Sequence, residues 1–547
     1  MDQGRAGLIK RSVPLVVATA VPVAFVGWFF VWPLVAVLGR GLFGGGALHL
    51  GPLEDVVRDP RLRHIVAFTF TQAAISTAVT VAIGVPLTGV LTRRRVPAAR
   101  LLRALIIVPF VMPTIVVGAA FAALLGEGGP LASWHLAPGA TAIVLAHVWF
   151  NLAVVVRIVG ARWVNLDPAL VEVARVSGAS PLRAFREATL PMLADSIMSA
   201  AAIVFLFCVT SFGVVLVLGG PQYGTIETEI YRLTTQELAL DRAGALVIVQ
   251  MIVVLLTLAV ASRAARTASG TGVTGRLVAA RDATARFRRS WHRVAAAVFL
   301  AAVLVFLLAP IAVIVARSFT HGVGAYRTLG TEVPVLSVSP ASTIATSVRA
   351  ALAATLIAVV VGGLAALAIT RMSKRGAGGA LQLLLLLPLG VSAVTIGFGF
   401  IIALDRPVDL RASWWLVPIA QATVAVPFVM RTMLPGLRSV DQRQRDVAAV
   451  LGAAPRRVWR EVDLPIVRRA LIAAATFAAA ISLGEFGATA FVARADAPTM
   501  PIAIQQMLEI PGAAAHRSAF AVAVILVAVT AAMAMIADRF ADARGGY

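Results

Sequence analysis

A chain of 547 residues that is 59% hydrophobic and only 14% charged, with a mean hydropathy of +0.90, has too little polar surface to enclose its apolar residues as a soluble domain. The net charge of +22 would suit nucleic acid, but the arginines fall in short loops beside apolar runs, where positive charge marks membrane topology and no nucleic-acid partner is expected. The single cysteine, Cys208, lies inside an apolar run, which excludes internal disulfides and multi-cysteine metal sites.

The composition describes an all-α polytopic membrane protein. Arg5, Lys10 and Arg11 precede an apolar stretch from Val13 to about Leu38, too long for the apolar core of a signal peptide, so an uncleaved first span is expected. Crossing the hydrocarbon core takes about 20 apolar residues as helix. Twelve such runs are present, at about 13–39, 64–92, 101–126, 139–160, 193–219, 242–262, 294–317, 342–370, 379–404, 412–434, 467–493 and 517–538. Residues 263–293, rich in Gly, Ser, Thr and Arg, have no apolar face and read as a cytoplasmic linker between two halves, 1–262 and 294–547, of six spans each. With both termini in the cytoplasm, 33 of the 48 lysines and arginines lie on that side and ten on the other.

The halves are duplicates. EVARVSGASPLRAFREATLP at 172–191 and DVAAVLGAAPRRVWREVDLP at 446–465 match at 11 of 20 positions at an offset of 274. The same offset pairs Arg157 with Arg431, Phe212-Gly213 with Phe486-Gly487 and Thr225 with Thr499, and an offset of 279 aligns Gly84/Gly363, Pro109/Pro388 and Gly118/Gly397. Each half begins and ends inside, so the repeats are parallel, with a pseudo-two-fold axis along the membrane normal and the pore expected between the halves.

In the first loop Ser180 is a good N-cap and Pro181 suits the first helical position, so a short helix is expected from Leu182 to about Glu187. Gly178 allows a sharp turn before it, and Pro191 can open the next helix. Ala454 is a weaker start in the second loop. A bare connector would need neither twenty residues nor the same spacing twice. An acid, then Ala, then Gly six residues after the acid and Leu-Pro twelve after the Gly resembles the cytoplasmic EAA loop of bacterial ABC importer permeases. That resemblance implies that Glu172, Ala174, Gly178, Pro181, Arg183 and Arg186, with Asp446, Ala448, Gly452, Pro455, Arg457 and Arg460, form two coupling helices docked on an ATPase. Asp446 in place of Glu, and Ala188 where the motif prefers Ile, depart from the pattern.

A P-loop needs lysine followed by Ser or Thr. The two lysines, Lys10 and Lys374, are each followed by Arg, so an ATPase would be a separate subunit. For the translocation pathway, Ser211, Phe212 and Gly213, with Glu485, Phe486 and Gly487, follow the two loops. The glycines permit close approach or unwinding. Glu485 is a functional candidate as an intramembrane acid, or else a carboxylate neutralised by protonation or by Arg349 or Arg431. Phe212 and Phe486 are gate candidates or packed core rings. His147, Trp149 and Asn151 lack the neighbours of a metal site, which favours a helix-packing histidine. Glu127, Glu227, Glu229 and Asp241 on the outer side read as solvated loop charges or as contacts for a binding protein.

The whole chain is similar to the fused permeases of the thiamine and ferric-iron importer group. LAHVWFNL, SFGVVLVLGGP, TIETEIY and SLGEFG look most like the thiamine permease, while the ferric permeases share SFG and the Thr-Ile-Tyr pattern. The resemblance implies a bacterial inner-membrane subunit of ABC type I fold, with a cytoplasmic ATPase homodimer holding ATP and Mg²⁺, and an extracytoplasmic substrate-binding protein. Transport would proceed by alternating access, with no catalysis or cofactor in this chain. A secondary carrier would also show parallel six-span halves, but has no need of two EAA loops. A membrane-embedded enzyme would need convergent catalytic groups, and the sequence offers none.

Overall fold

The computed structural model describes residues 16–44, 47–97, 99–167, 169–270, 290–333, 335–372, 376–406 and 408–541. Lys10, Lys374 and most of the expected linker, 271–289, lie outside them. Helices dominate: in the first half α1 (Val16–Leu42), α2 (Pro60–Arg93), α3 (Ala99–Val111), α4 (Thr114–Leu125), α5 (Ala140–Val164), α6 (Ala169–Val176), α7 (Pro181–Val209), α8 (Gly213–Leu218), α9 (Ile226–Thr235) and α10 (Leu240–Gly270). The second half adds α11 (Ser290–Ser318), α12 (Pro340–Arg371), α13 (Ala377–Leu386), α14 (Ala393–Ala403), α15 (Leu416–Arg438), α16 (Gln442–Val450), α17 (Arg456–Gly484), α18 (Thr489–Val492), α19 (Met500–Glu509) and α20 (Ala513–Ala541). The ends of the expected linker are helical, since α10 continues to Gly270 and α11 starts at Ser290. Arginine and alanine at 263–266 are good helix formers, so α10 runs on past its apolar part.

Among the described residues ten helices are long and apolar enough to span, and two bent pairs bring the number to twelve if each pair is one span. The runs 101–126 and 379–404, each expected as one span, are those pairs, bent by 104° and 99°. Pro113, at φ −54° and ψ 135° ahead of α4, cannot donate to a continuing helix and disfavours the α region at Met112, just past the end of α3 at Val111. In the second pair a 3₁₀ turn at Leu387–Gly390 precedes Ser392, whose hydroxyl caps α14 by accepting from Val394 N at 3.1 Å. The runs 193–219 and 467–493 are also interrupted, after Val209 and after Gly484.

Of the described residues, those within 1–52, 230–247 and 321–546 form one compact unit, and those within 53–229 and 248–320 the other. Each unit draws on both halves of the sequence. In the first unit α1 packs with second-half helices: Val26 and Phe30 share a core with Phe400 and Val426, and Trp32 Nε1 donates to Ala403 O at 3.3 Å. In the second, Trp149 Nε1 of α5 donates to Leu307 O of α11 at 3.0 Å.

Packing corrects one repeat pairing. A Cβ added at Gly84 would meet Val155, and one added at Gly362 would meet Val429, which stands 274 residues after Val155. Gly84 therefore corresponds to Gly362, not Gly363, at an offset of 278 along α2 and α12. The offset of 279 holds in the bent pairs, where Gly118 and Gly397 lie against the segments that follow the interruptions after Val209 and Gly484. The loops 94–98 and 372–376 are equally long, and the extra residue falls inside the bent pair, between Ala377 and Pro388 as against Ala99 and Pro109.

Candidate functional site

The two duplicated loops are built alike. α6 and α16 both end in a Schellman cap: Ala179 N donates to Ala174 O at 3.0 Å with Gly178 at φ +89°, and Ala453 N donates to Ala448 O at 3.0 Å with Gly452 at φ +81°. A left-handed residue is required there, which explains the glycine six residues after the acid. Ser180 then caps α7, accepting from Arg183 N at 3.3 Å, whereas Ala454 offers α17 only its backbone carbonyl.

The expected short helix does not stand alone. It runs into the next span through one π turn in each copy, Phe185–Thr189 and Trp459–Asp463. Pro191 and Pro465 follow those turns; each lacks an N–H, and its ring would strike the carbonyl four residues back, so the helix widens by a residue instead of breaking. Arg183 pairs with Glu187 and Arg457 with Glu461, each at 3.0 Å. Glu172, Arg186 and Arg460 are exposed, as are Val173, Leu182, Val447 and Leu451. Val176 and Val450 are 90% and 87% exposed. Apolar side chains so fully presented in both copies mark a contact surface.

At the far ends of α7 and α17 the chain breaks, and in each half the break packs on a bent pair. A Cβ on Gly213 would come within 2.6 Å of Thr114 Oγ1 and 2.8 Å of Ile115 N at the start of α4. One on Gly487 would come within 2.9 Å of Ala393 Cβ at the start of α14. Ser211, Phe212, Glu485 and Phe486 are buried within these breaks. Glu485 pairs with neither Arg349 nor Arg431, both of which are exposed. Its carboxylate accepts from Ala488 N at 2.7 Å, from Thr489 N at 3.0 Å and from the Thr489 hydroxyl, which makes it the anchor of α18.

The sequence profile of the binding-protein-dependent transport system inner membrane component family matches residues 80–269 and 358–544, once in each half. The chain belongs to that family. It is a multi-pass inner-membrane ABC importer permease, not an enzyme. It is 27% identical to the "Thiamine transport system permease protein ThiP" of Escherichia coli (strain K12) over 477 residues, covering 84% of this chain and 86% of the relative. It is 28% identical to the protein of the same name from Brucella abortus (strain 2308), over 89% of both chains. A "Probable ABC transporter permease protein y4fN" of Sinorhizobium fredii is 25% identical over 87% of both.

In this permease two of the acids expected on the outer side are not solvated. Glu227 is fully buried and accepts from Gln250 Nε2, and the buried Glu229 lies 3.5 Å from Arg61. Helix α9 packs inward, so its carboxylates need polar partners. Glu127 and Asp241 are exposed. His147 is a packing residue, its Nδ1 2.9 Å from Gln72 Oε1. Sequence reasoning missed a matched pair of anchors: Ile226 N donates to Thr69 Oγ1 at 3.0 Å, and Met500 N donates to Ser347 Oγ at 2.6 Å. Thr69 and Ser347 are each one of several hydroxyls in their spans, so composition alone did not single them out. Sequence reasoning also missed the ion pair of Arg445 with Asp463 in the second loop.

Proposed function

We propose that this permease carries thiamine or a thiamine phosphate inward across the membrane, driven by ATP and Mg²⁺ bound to a separate cytoplasmic ATPase homodimer. The two duplicated loops face the cytoplasm with both termini and dock on that dimer, while an extracytoplasmic binding protein delivers the substrate. This chain holds no cofactor. One observation carries the coupling role: each loop continues without a break into a 29-residue helix, roughly 43 Å long at 1.5 Å per residue, that ends at the glycine-packed break. A push on Leu182 or on its counterpart Arg456 therefore reaches the breaks at Phe212 or Phe486 along one helix, while Val176, Val450 and Leu451 bear on that helix through the Schellman turn before it. ATP binding draws the loops together and opens the pathway outward, and hydrolysis resets it. The names of the relatives, and the arginine bias of the expected inner loops, support the substrate and the orientation. Glu485 serves the pathway by holding the break, because its oxygens are occupied by α18.

Uptake of labelled thiamine by liposomes containing the complex with its ATPase and binding protein tests this. ATP-dependent uptake that is lost in the Gly178→Asp/Gly452→Asp double variant is expected. Uptake of ferric iron in place of thiamine would overturn the substrate, and uptake that persists in the double variant would overturn the coupling role.

A further inference from the structure

Helices α9 and α19 are repeat counterparts in fixed register. Both run ten residues, at an offset of 274, and both are pinned at the first residue, Ile226 N by Thr69 and Met500 N by Ser347. Tyr231 therefore corresponds to Gln505, and Thr235 to Glu509. These side chains meet. The Tyr231 hydroxyl is hydrogen-bonded to the Gln505 side chain, within the field of the Glu509 carboxylate. Gln505 Nε2 donates to Glu509 Oε1 at 2.8 Å, and the Thr235 hydroxyl donates to Tyr231 O at 2.7 Å. All four residues lie in the first compact unit.

A residue and its image under a two-fold rotation are separated by twice their distance from the axis. Contact between Tyr231 and Gln505 therefore puts both at the axis that relates the repeats, where a parallel duplication sets its pathway. They stand beyond the breaks that end α7 and α17, away from the duplicated loops. A further ring joins from one half only. Phe491 of α18, in the place of Val217 in the first half, makes a T-shaped contact with the Tyr231 ring, their centroids 5.4 Å apart. A Cβ on Gly397 would lie 2.9 Å from Phe491 Cδ2, so this ring is seated on α14, and Glu485 holds α18 in place. The axial contact is linked in this way to the end of α17.

We propose that Tyr231, Gln505 and Glu509 close the translocation pathway at its end away from the duplicated loops, and that Glu509 draws a cationic cargo into it. The charge of the cargo and the outward position of this end rest on the function proposed above. The bonds suit a contact that must part in every cycle. Tyr231 is half-buried and Glu509 exposed, so on separation the hydroxyl, the amide and the carboxylate exchange a partner for water and no polar group is stranded. Glu509 pairs with no cation among the described residues, whereas Glu229 on α9 has Arg61. An unneutralised carboxylate at the mouth of a pore raises the local concentration of cations and turns anions away. The rings of Tyr231 and Phe491 then offer faces on which an aromatic cation can rest.

The test uses the whole complex with its ATPase and binding protein. In a Cys208→Ser background, Tyr231→Cys with Gln505→Cys should be joined by a short bifunctional thiol reagent when nucleotide is absent, and not when the complex is trapped with ATP and vanadate. Equal cross-linking in the two states overturns the closure. Tyr231→Ala should raise several-fold the ATP hydrolysis measured without binding protein, because the contact that opposes the outward state is gone. A packing role predicts a fall, and the absence of a rise overturns the proposal. Glu509→Gln retains an acceptor for Gln505, so it should lower the thiamine imported per ATP hydrolysed several-fold through charge alone, with Glu509→Asp near the parent. A Glu509→Gln variant that imports as much per ATP as the parent overturns the cation role. The cross-link is read without cargo: a complex that imports no thiamine overturns the proposed substrate, and the cross-link still decides the closure.

Discussion

Arg445 Nε lies 2.8 Å from Asp463 Oδ1, tying α16 to the π turn that begins the following span. The first loop has Val171 and Thr189 at these positions, so the two loops share a backbone and differ in how they are locked. Asp463 is buried and Arg445 29% exposed, so the pair is less costly to break than a fully buried one. Asp463→Ala should destabilise by about 1–2 kcal/mol, read as a lowered melting midpoint, while Thr189→Ala should change it by less than about 0.5 kcal/mol. Equal losses in the two variants would show that the ion pair does not hold the loop.

Gly178 and Gly452 act through backbone conformation alone, since nothing lies within 4 Å of an added Cβ at either. Alanine at each should cost about 1–2 kcal/mol of left-handed strain and lower ATP-coupled uptake, with both effects similar in the two loops. If either alanine variant matches the parent in stability and uptake, the Schellman cap is not what the motif glycine provides.

Gly213 and Gly487 are steric instead. Gly213→Ala meets the Ile115 backbone nitrogen, which cannot rotate aside, while Gly487→Ala meets the Ala393 methyl at 2.9 Å. Overpacking of this kind costs about 1–3 kcal/mol. Uptake should fall in both variants and further in Gly213→Ala. Adding Thr114→Ala should fail to rescue it, because the backbone clash remains, and full rescue would place the clash at the Thr114 hydroxyl alone.

Glu485 separates anchoring from cargo binding. Glu485→Ala removes the cap of α18 and should cost about 1–2 kcal/mol, while Glu485→Gln retains one acceptor and should lose less. Both should lower the maximal uptake rate without changing the substrate concentration at half-maximal uptake. A several-fold rise in that concentration for Glu485→Gln would instead assign the carboxylate to the cation.

The sequence alone determined the membrane class, the duplication and the local shape of both loops. These depend on neighbours in the chain: apolar run length, a serine before a proline, a glycine at a left-handed position. Tertiary structure decided what depends on distant partners. The bends within 101–126 and 379–404 leave the apolar content unchanged, so hydropathy alone did not reveal them. The pairing of Gly84 with Gly362 emerged only from what each glycine packs against, because adjacent glycines at 362 and 363 fit the repeat equally well. In the sequence Glu227 and Glu229 read as loop acids and Glu485 as an intramembrane one, and none of the three showed its partner. Burial made their partners obligatory, and packing supplied Gln250, Arg61 and the amides of α18.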